Sequence, residues 1–545
     1  MQSINKNGYS KERWQQIVLF LLIVALAVGH ILYINENVWP LNGDEAQYWN
    51  WSKNLAFGYY SKPPFLAWLI AITTGFLGNG LLGIRFGAII CHSVTAIFMY
   101  LSGKRLYDHQ IGFWSAISYL LLPGVSFSAG IISTDPPLLT FWTMAFYFFL
   151  RAIERNQLGW WLAMGVAVGF GMLSKYAAIF FPISVFIYLL TTSNKRSLLS
   201  HPGFYLSLLL ACLILVPNIV WNAHHHFASV HAVEENADLG GGNFFQVNNL
   251  LLFLVSQAAL LGPILFVVLS YHLLGWRKVK QDNHQQLLLT FVWPLLLVML
   301  LEAFLSRAHG NWAVPIYITG VIAACALLIQ NKKLKWLIAA NIINCIVFVG
   351  LFQAPLLIRT MQLKLPLHTT MLNWPKIGQE IAKQKIEHPQ SFLLVDDRML
   401  LTLSMYYGEI SLAQAVKWNP SGVIHDQYDL QTDLMNKMGK SFILVTYQAY
   451  PMEIMSHFSQ VKFLMTLQQS TLDGRTTNVY LFYLEDFLGY PTYNPYAREL
   501  YSFSNLFTQA VKASYFSVNN GMSMDSTHLA QNGTRHPGIV AKLLV

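Results

Sequence analysis

The chain has 545 residues, of which 54% are apolar and only 61 carry a charge, 26 acidic and 35 basic. A charged fraction of 11% is far below the roughly 25% of soluble globular proteins, which excludes an ordinary cytosolic enzyme. The net charge of +9 does not indicate nucleic-acid binding, because the basic residues lie between apolar runs. Residues 1–357 carry 32 charges and the 188 residues that follow carry 29. The sequence therefore predicts a transmembrane domain over 1–357, a more polar domain over 358–487, and a tail over 488–545 without a predicted fold.

The first domain consists of apolar runs of membrane-spanning length. A bilayer core of about 30 Å requires roughly 20 apolar residues per helix. Eleven runs approach this length: 14–34, 81–102, 111–127, 134–153, 159–173, 176–192, 203–221, 249–274, 286–305, 312–330 and 336–357. The expectation is a polytopic α-helical membrane protein with about 11 to 13 transmembrane helices. A further run, 64–78, is too short to span and is predicted to lie in the membrane interface.

The loops between the runs predict the orientation. Fifteen Lys and Arg residues lie on one side, whereas four, Lys53, Lys62, Lys175 and Arg307, lie on the other. Basic loops stay in the cytoplasm. With an odd number of spans, the polar domain is predicted to lie on the outer side of the membrane.

The polar domain alternates short apolar strands with helical stretches. The predicted strands are Phe392–Val395, Phe442–Val445 and Val479–Tyr483. Helical patterns lie between them, which predicts a small α/β domain.

Charged residues are concentrated at the outer membrane face. Asp44 and Glu45 share the first outer loop with Lys62, Asp135 ends the second outer loop, and Arg85 and Lys175 lie at the ends of apolar runs. Charges near the hydrocarbon are costly and tend to line substrate paths. Carboxylates and cations on one face indicate a site that holds an anionic lipid headgroup and moves a proton.

Each of these residues alone also has a structural interpretation. Asp44 and Asp135 could be helix N-caps, the latter followed by Pro136. Arg85 and Lys175 could extend to the interface, and Lys62 could be a solvated loop residue.

Two further loops offer polar groups on the same side. His224, His225 and His226, with His231, Glu234 and Glu235, could bind a divalent metal, although their spacing is not diagnostic. The loop Ser306–Asn311 contributes Arg307 and His309 as polar contacts or as ordinary loop residues. The sequence predicts no definite cofactor, and a divalent metal stays open.

Several motifs together resemble a known family. They are Gly43-Asp44-Glu45, Gly58-Tyr59-Tyr60-Ser61-Lys62-Pro63-Pro64, Arg85, Thr134-Asp135-Pro136-Pro137, Leu173-Ser174-Lys175-Tyr176 and Ala308-His309-Gly310-Asn311-Trp312. This pattern resembles bacterial membrane glycosyltransferases related to protein O-mannosyltransferases, in particular the lipid A aminoarabinose and core galacturonic acid transferases. The resemblance extends over roughly residues 10 to 485 and includes Val395-Asp396-Asp397 and Asp426-Gln427-Tyr428-Asp429.

The resemblance implies a GT-C-type fold in a multi-pass protein of the bacterial inner membrane, with the active site and the C-terminal domain in the periplasm. It also implies a role for each matching residue. Asp44 would be the catalytic base, with Glu45 beside it and Asp135 as the second-loop acid. Lys62, Arg85 and Lys175 would hold the phosphate or the sugar of the donor. Tyr59, Tyr60 and His309 would line the donor site. Gln47 and Ser61 stand where aminoarabinose transferases carry Arg and Glu, which puts aminoarabinose as the sugar, and any metal site using that Glu, in doubt.

The implied activity is inverting transfer of a sugar from a polyprenyl-phosphate carrier such as undecaprenyl phosphate. Lipid A, core saccharide or another envelope component would be the acceptor, with membrane lipids but no nucleic acid as further partners. The phosphate leaves as a stable anion, so the reaction requires charge neutralisation more than a general acid. A transporter or flippase of lipid-linked sugars and a protein O-mannosyltransferase are the alternatives.

Overall fold

The computed structural model describes residues 6–36, 39–237, 245–275, 282–361, 373–471 and 475–490, without the side chains of 6–9 and 354–361. The described residues form two compact units. The helical unit comprises the chain up to Trp39 and from Trp51 to Met361, and the sheet unit comprises Pro40–Asn50 and the described residues from 373 onward. The predicted tail lies outside the described residues from position 491 on.

The helical unit is built from α-helices with short connections. They are α1 Lys6–Asn35, the C-terminal part of α2 Gly43–Lys53, α3 Phe65–Leu77, α4 Leu81–Leu106, α5 His109–Leu120, α6 Pro123–Ala129, α7 Asp135–Arg155, α8 Leu158–Ser174, α9 Phe180–Thr191, α10 Pro202–His224, α11 Ala228–Ala237, α12 Val247–Leu261, α13 Pro263–Leu274, α14 Asn283–Thr290, α15 Trp293–Leu305, α16 Ile316–Gln330 and α17 Leu334–Met361. Short 3-10 helices occupy Tyr176–Ile179, Ser193–Ser200 and Gly310–Ala313.

Within the described ranges, four helices are long and apolar enough to cross a membrane, namely α1, α4, α10 and α17. Three bent pairs, α5–α6, α12–α13 and α14–α15, raise the number to as many as seven. Four shorter apolar stretches and α7 match the remaining predicted runs. The prediction of a polytopic helical membrane protein is confirmed.

The run 249–274 differs from its prediction as one straight span. It forms α12 and α13, which meet at an angle of 118°. Gly262 links them with φ +80°, and Pro263 begins α13. A residue with positive φ followed by proline cannot continue a helix, so the chain turns sharply here.

The interior of the helical unit is packed with aromatic rings and close helix contacts. Phe146, Phe149, Phe181 and Phe291 are almost fully buried, and each of the first three rings contacts Phe291 edge-on or tilted. Gly165 of α8 lies so close to the backbone of α10 that a Cβ would be 2.5 Å from a carbonyl oxygen. Small residues permit such contacts between membrane helices.

The sheet unit is an α/β fold. Its strands are β1 Phe392–Val395, β2 Ala415–Lys417, β3 Phe442–Thr446, β4 Phe458–Ser470 and β5 Thr476–Phe487. Its helices are α18 Trp374–Glu387, α19 Arg398–Tyr407, α20 Gln427–Gln431 and α21 Met452–Met455, with 3-10 helices at Leu412–Gln414 and Met435–Lys437. The sheet order is β2-β1-β3-β5-β4, with β1 parallel to β2 and β3, and β5 antiparallel to β3 and β4.

The predicted strands are confirmed as β1, β3 and part of β5, and the predicted α/β domain is confirmed as well. The prediction missed β2, which has only three residues, and β4. Among the described residues, the strand β4 pairs only with β5, and β4 is largely exposed. An edge strand with few buried residues lacks the apolar run by which β1 and β3 are recognised.

Polar side chains form hydrogen bonds at the ends of the parallel strands. The Asp396 carboxylate accepts hydrogen bonds from the Thr446 hydroxyl at 2.8 Å and the Gln448 amide at 3.1 Å. Lys417 donates to Asp426 at 2.5 Å and to Asp429 at 3.1 Å. Burial opposes the charge of Lys417, but these two carboxylates outweigh it and raise its pKa.

Candidate active site

The first candidate acids lie in the first turn of α2. Asn42 precedes the helix, and its side chain accepts a hydrogen bond from the Glu45 backbone amide at 2.9 Å. The Glu45 carboxylate accepts in turn from the Asn42 backbone amide at 3.3 Å, which completes a capping box. The interpretation of Asp44 as the helix cap is therefore wrong. Glu45 is buried, whereas the Asp44 side chain is 46% exposed.

Arg398, which the sequence reasoning missed, holds Asp44. Its guanidinium lies 3.2 Å from an Asp44 carboxylate oxygen and also donates to the Gln47 side chain. The helix α19 begins directly after β1, and Asp397 caps it by accepting from the Leu400 backbone amide at 2.8 Å. The cap thus fixes Arg398 in the first turn. The sequence offered one indication of this position, because the acidic pair Asp396-Asp397 ends a predicted strand directly before Arg398. Arg398 could not be linked to Asp44, however, because the two residues lie 354 positions apart in the chain.

The loop after α2 is held together by Tyr59, which is fully buried. The Tyr59 ring stacks on Trp51 at a centroid distance of 4.5 Å, and its hydroxyl donates to the Trp51 carbonyl at 3.0 Å. Burial raises the pKa of Tyr59 to about 12. Two backbone hydrogen bonds between Tyr59 and Lys62, at 3.2 and 3.4 Å, close the turn that carries Lys62. The contacts of Tyr59 therefore stabilise the loop. Lys62 and Tyr60 are the residues of this loop that could contact a substrate.

The ends of α10 and α11 support this loop. Asn218 donates to the Phe57 carbonyl at 2.7 Å, and Ser229 donates to the Tyr59 carbonyl at 2.9 Å. The Tyr60 hydroxyl donates to Glu235 at 2.9 Å. Glu235, considered above as a metal ligand, is thus a hydrogen-bond partner of Tyr60 in the first loop.

A buried ion pair joins the second acidic motif to the end of α8. The Lys175 ammonium lies 2.6 Å from one Asp135 carboxylate oxygen, and the two side chains are 16% and 8% exposed. The Asn311 amide donates to the other Asp135 oxygen at 2.9 Å. Thr134, not Asp135, precedes α7, and no side chain caps it, so the interpretation of Asp135 as a cap is wrong. Because Lys175 is paired in the interior, its interpretation as an interfacial lysine is wrong too.

A second buried network positions Asn311. The Gln257 amide donates to the Gly310 carbonyl at 3.0 Å, and the Tyr317 hydroxyl donates to Gln257 at 2.6 Å. His309 is half-buried and lies 5.0 Å from the Trp312 ring. Sequence reasoning included Asn311 in the motif but assigned it no contact.

Arg85 lies inside the helical unit with only 2% of its surface exposed. It donates to the Trp39 carbonyl at 2.9 Å. A buried guanidinium on a membrane helix is costly. The interpretation of Arg85 as a residue extending to the lipid interface is therefore wrong.

Two ion pairs involve predicted site residues, and one of these pairs includes a residue that was not predicted. Asp135 and Lys175 meet in the helical unit, and Asp44 meets Arg398 in the sheet unit. His231 and Glu234 form an exposed pair at 3.4 Å. Within the ranges that the structure covers, no group of three His, Cys, Asp or Glu side chains could hold a metal ion.

The fold matches a solved membrane transferase. The crystal structure of ArnT from Cupriavidus metallidurans bound to undecaprenyl phosphate superposes with a TM-score of 0.60 at 14% identity, covering 85% of this chain and 97% of that one. This architecture is the GT-C fold of membrane glycosyltransferases, which confirms the predicted fold class.

Residues 61–221 match the family described as dolichyl-phosphate-mannose-protein mannosyltransferase. The chain is 31% identical over 320 residues to the lipid A galacturonosyltransferase of Rhizobium johnstonii, covering 58% of this chain and 66% of that protein. It is 27% identical over 365 residues to an undecaprenyl phosphate-alpha-4-amino-4-deoxy-L-arabinose arabinosyl transferase of Pseudomonas fluorescens, covering 60% and 61%. The match thus spans somewhat less than two thirds of each relative. The predicted resemblance to these transferases is confirmed.

Proposed function

We propose that the protein is an inverting glycosyltransferase that moves a sugar from a polyprenyl-phosphate carrier to lipid A or another envelope acceptor. The reaction would take place at the periplasmic face of the bacterial inner membrane. The GT-C fold and relatives named for lipid A and undecaprenyl phosphate support this assignment. The observation that carries it is Asp44, an accessible carboxylate in the first turn of α2 that takes no part in the capping box.

Asp44 is suited to the role of base. Its carboxylate is exposed enough to meet a substrate, and Arg398 fixes its orientation. In the proposed step, Asp44 takes the proton from an acceptor hydroxyl or amine, whose oxygen or nitrogen attacks the anomeric carbon. The bond from that carbon to the phosphate oxygen breaks, and the carrier leaves as its phosphate anion. Attack opposite the leaving group inverts the configuration.

The cations would stabilise the departing phosphate. We assign this role to Lys62, Arg85 and Lys175, because charge develops on the phosphate oxygen in the transition state. Lys175 shares one contact with Asp135, and an ammonium group has two further donors for a phosphate. Asp135 and Asn311 then act as positioning residues that fix the lysine. Glu45 supports the start of α2, and Tyr60 and His309 line the donor side.

The test is transfer by purified protein reconstituted in liposomes with lipid A and an undecaprenyl-phosphate-linked sugar, galacturonic acid in one series and aminoarabinose in the other. Mass spectrometry of lipid A measures the product. The substitution Asp44→Asn should reduce transfer at least about a hundredfold, the usual range for loss of a general base. Arg398→Lys should retain more activity than Arg398→Ala, because it preserves the charge near Asp44.

Asp433→Asn is the matched control, because Asp433 is an exposed acid of the same unit and should leave transfer unchanged. All variants should retain the thermal midpoint of the wild type, since Asp44 and Arg398 are partly exposed. Near-normal transfer by the Asp44→Asn protein would remove Asp44 from the reaction.

A further inference from the structure

A groove opens on the helical unit, and its lining includes none of the residues assigned to transfer. It has a volume of about 390 Å³ and lies between α13, α16 and the start of α17. Its walls are apolar, including Pro263, Val267 and Leu328, and Lys333 and Trp336 complete its lining. The groove uses the face of α13 that follows the sharp turn at Gly262.

The groove is exposed on the surface of helices that are expected to lie in the membrane. Val267 is 63% exposed and Trp336 is 52% exposed, while α17, which carries Trp336, is one of the four helices long enough to span. Apolar side chains open to the hydrocarbon accommodate a lipid tail. Tryptophan is enriched where a membrane helix leaves the hydrocarbon, so Trp336 indicates the level of the lipid headgroups.

Positively charged lysines at the end of the groove favour an anionic lipid headgroup. Lys332, Lys333 and Lys335 are exposed, and within the described part of the chain none of them has a carboxylate within ion-pair distance. Lysine clusters beside a membrane span attract anionic lipids, each contributing separately to the affinity. A zwitterionic headgroup lacks this net attraction.

We propose that this groove is a binding site for one anionic phospholipid, with its acyl chain between α13 and α16 and its phosphate at the three lysines. In the predicted orientation the lysines face the cytoplasm, so the lipid belongs to the leaflet opposite the proposed reaction. The proposal is independent of sugar transfer, because it uses none of the residues assigned to the donor or the base.

The experiment measures contact between lipid and Trp336 in the full-length protein. Phosphatidylglycerol with brominated acyl chains quenches tryptophan fluorescence on contact, and the protein in detergent is titrated with it. The difference between wild type and Trp336→Phe isolates the signal of this one tryptophan. Brominated phosphatidylcholine in the same titration measures the nonspecific quenching by lipid that surrounds any membrane protein.

We expect saturable quenching of Trp336 at lower concentrations of phosphatidylglycerol than of phosphatidylcholine. Lys333→Ala should weaken phosphatidylglycerol binding about fivefold, and replacement of all three lysines about a hundredfold. Val267→Phe should weaken binding of the tail by filling the groove. The pair Asn194→Ala and Arg196→Ala, in the exposed 3-10 helix Ser193–Ser200, should leave phosphatidylglycerol binding unchanged.

Three results would overturn the proposal. Equal quenching by the two phospholipids would identify ordinary surrounding lipid. Unchanged affinity after loss of the lysines would remove the headgroup contact. Displacement of phosphatidylglycerol by unbrominated undecaprenyl phosphate at equal or lower concentration would assign the groove to the carrier lipid instead.

Discussion

The charged residues assigned to sugar transfer differ in how deeply their side chains are buried. Asp135 and Lys175 lie in the interior and form an ion pair, with Asn311 on the second carboxylate oxygen. Asp44 has a partner as well, but its side chain stays half exposed. Stability should therefore respond strongly to changes at the first pair and weakly at Asp44, whereas transfer should respond to both.

Breaking the buried pair should destabilise the protein. In Asp135→Ala the Lys175 ammonium is left without its carboxylate, at a cost of about 3–5 kcal/mol. The double variant Asp135→Leu with Lys175→Met removes both charges and should recover most of the thermal midpoint in detergent, but no transfer. Midpoints of the single variants equal to that of the wild type would show that the pair does not hold α7 to α8.

Asp396 should limit the stability of the sheet unit at neutral pH. Burial raises the pKa of its carboxyl above the ordinary value of 3.8, with Asp397 adding to this and the bonds from Thr446 and Gln448 opposing it. The folded protein then holds the proton more tightly than the unfolded chain, so this residue's contribution to stability falls as pH rises from below 3.8 through the folded pKa.

Asp396→Asn, whose amide oxygen can still accept from Thr446, should therefore melt at a higher temperature than the wild type at pH 7. The difference should shrink as the pH is lowered toward 3.8. Thermal unfolding of the two proteins across this range measures it, with Asp433→Asn as an exposed control. A difference that is constant with pH, or of opposite sign, would contradict the assigned pKa direction.

Among the elements, the bent helix pair α12–α13 supports the loop that contacts Asp135. Through Gln257, α12 holds the loop that presents Asn311 to Asp135. The turn between the two helices depends on one glycine, because Gly262 has φ +80° and ψ 149°, a region accessible essentially to glycine alone.

Gly262→Ala should destabilise the protein for two separable reasons. An alanine in this backbone conformation is strained by about 1–3 kcal/mol. Its Cβ also overlaps the Asn344 side-chain oxygen. Adding Asn344→Ala relieves the overlap but not the strain, so the double variant should melt between Gly262→Ala and the single variant Asn344→Ala. Gly262→Ala with the stability of the wild type would show that the turn does not require glycine.

Sequence patterns predicted the elements better than their contacts. Apolar runs identified the membrane helices, and the cores of β1 and β3 followed from short aliphatic segments. The exposed edge strand β4 gave no such signal. The partner of Asp44 could not be foreseen, because Arg398 reaches it only after β1 and α19 have folded. The same limit applies to Asn311, whose contact with Asp135 depends on the Gln257 network.

At the scale of the whole molecule, the functional proposal requires a particular orientation in the membrane. Lipid A transfer at the periplasmic face places the sheet unit outside, as the distribution of basic residues predicts. It also places the loop between α9 and α10, which carries Lys195 and Arg196, in the cytoplasm. Two exposed positions, Ser421 and Asn194, sample these predicted sides.

Single cysteines test this orientation in a protein without its native ones. The native cysteines to be replaced by alanine are Cys91, Cys212, Cys325 and Cys345. A membrane-impermeant maleimide should label the Ser421→Cys protein in intact spheroplasts, and the Asn194→Cys protein only after lysis. Retained sugar transfer by both variants shows that they are folded. The reverse labelling would place the sheet unit in the cytoplasm and exclude periplasmic transfer, because Asp44 belongs to that unit and would then lie on the side away from the periplasmic leaflet.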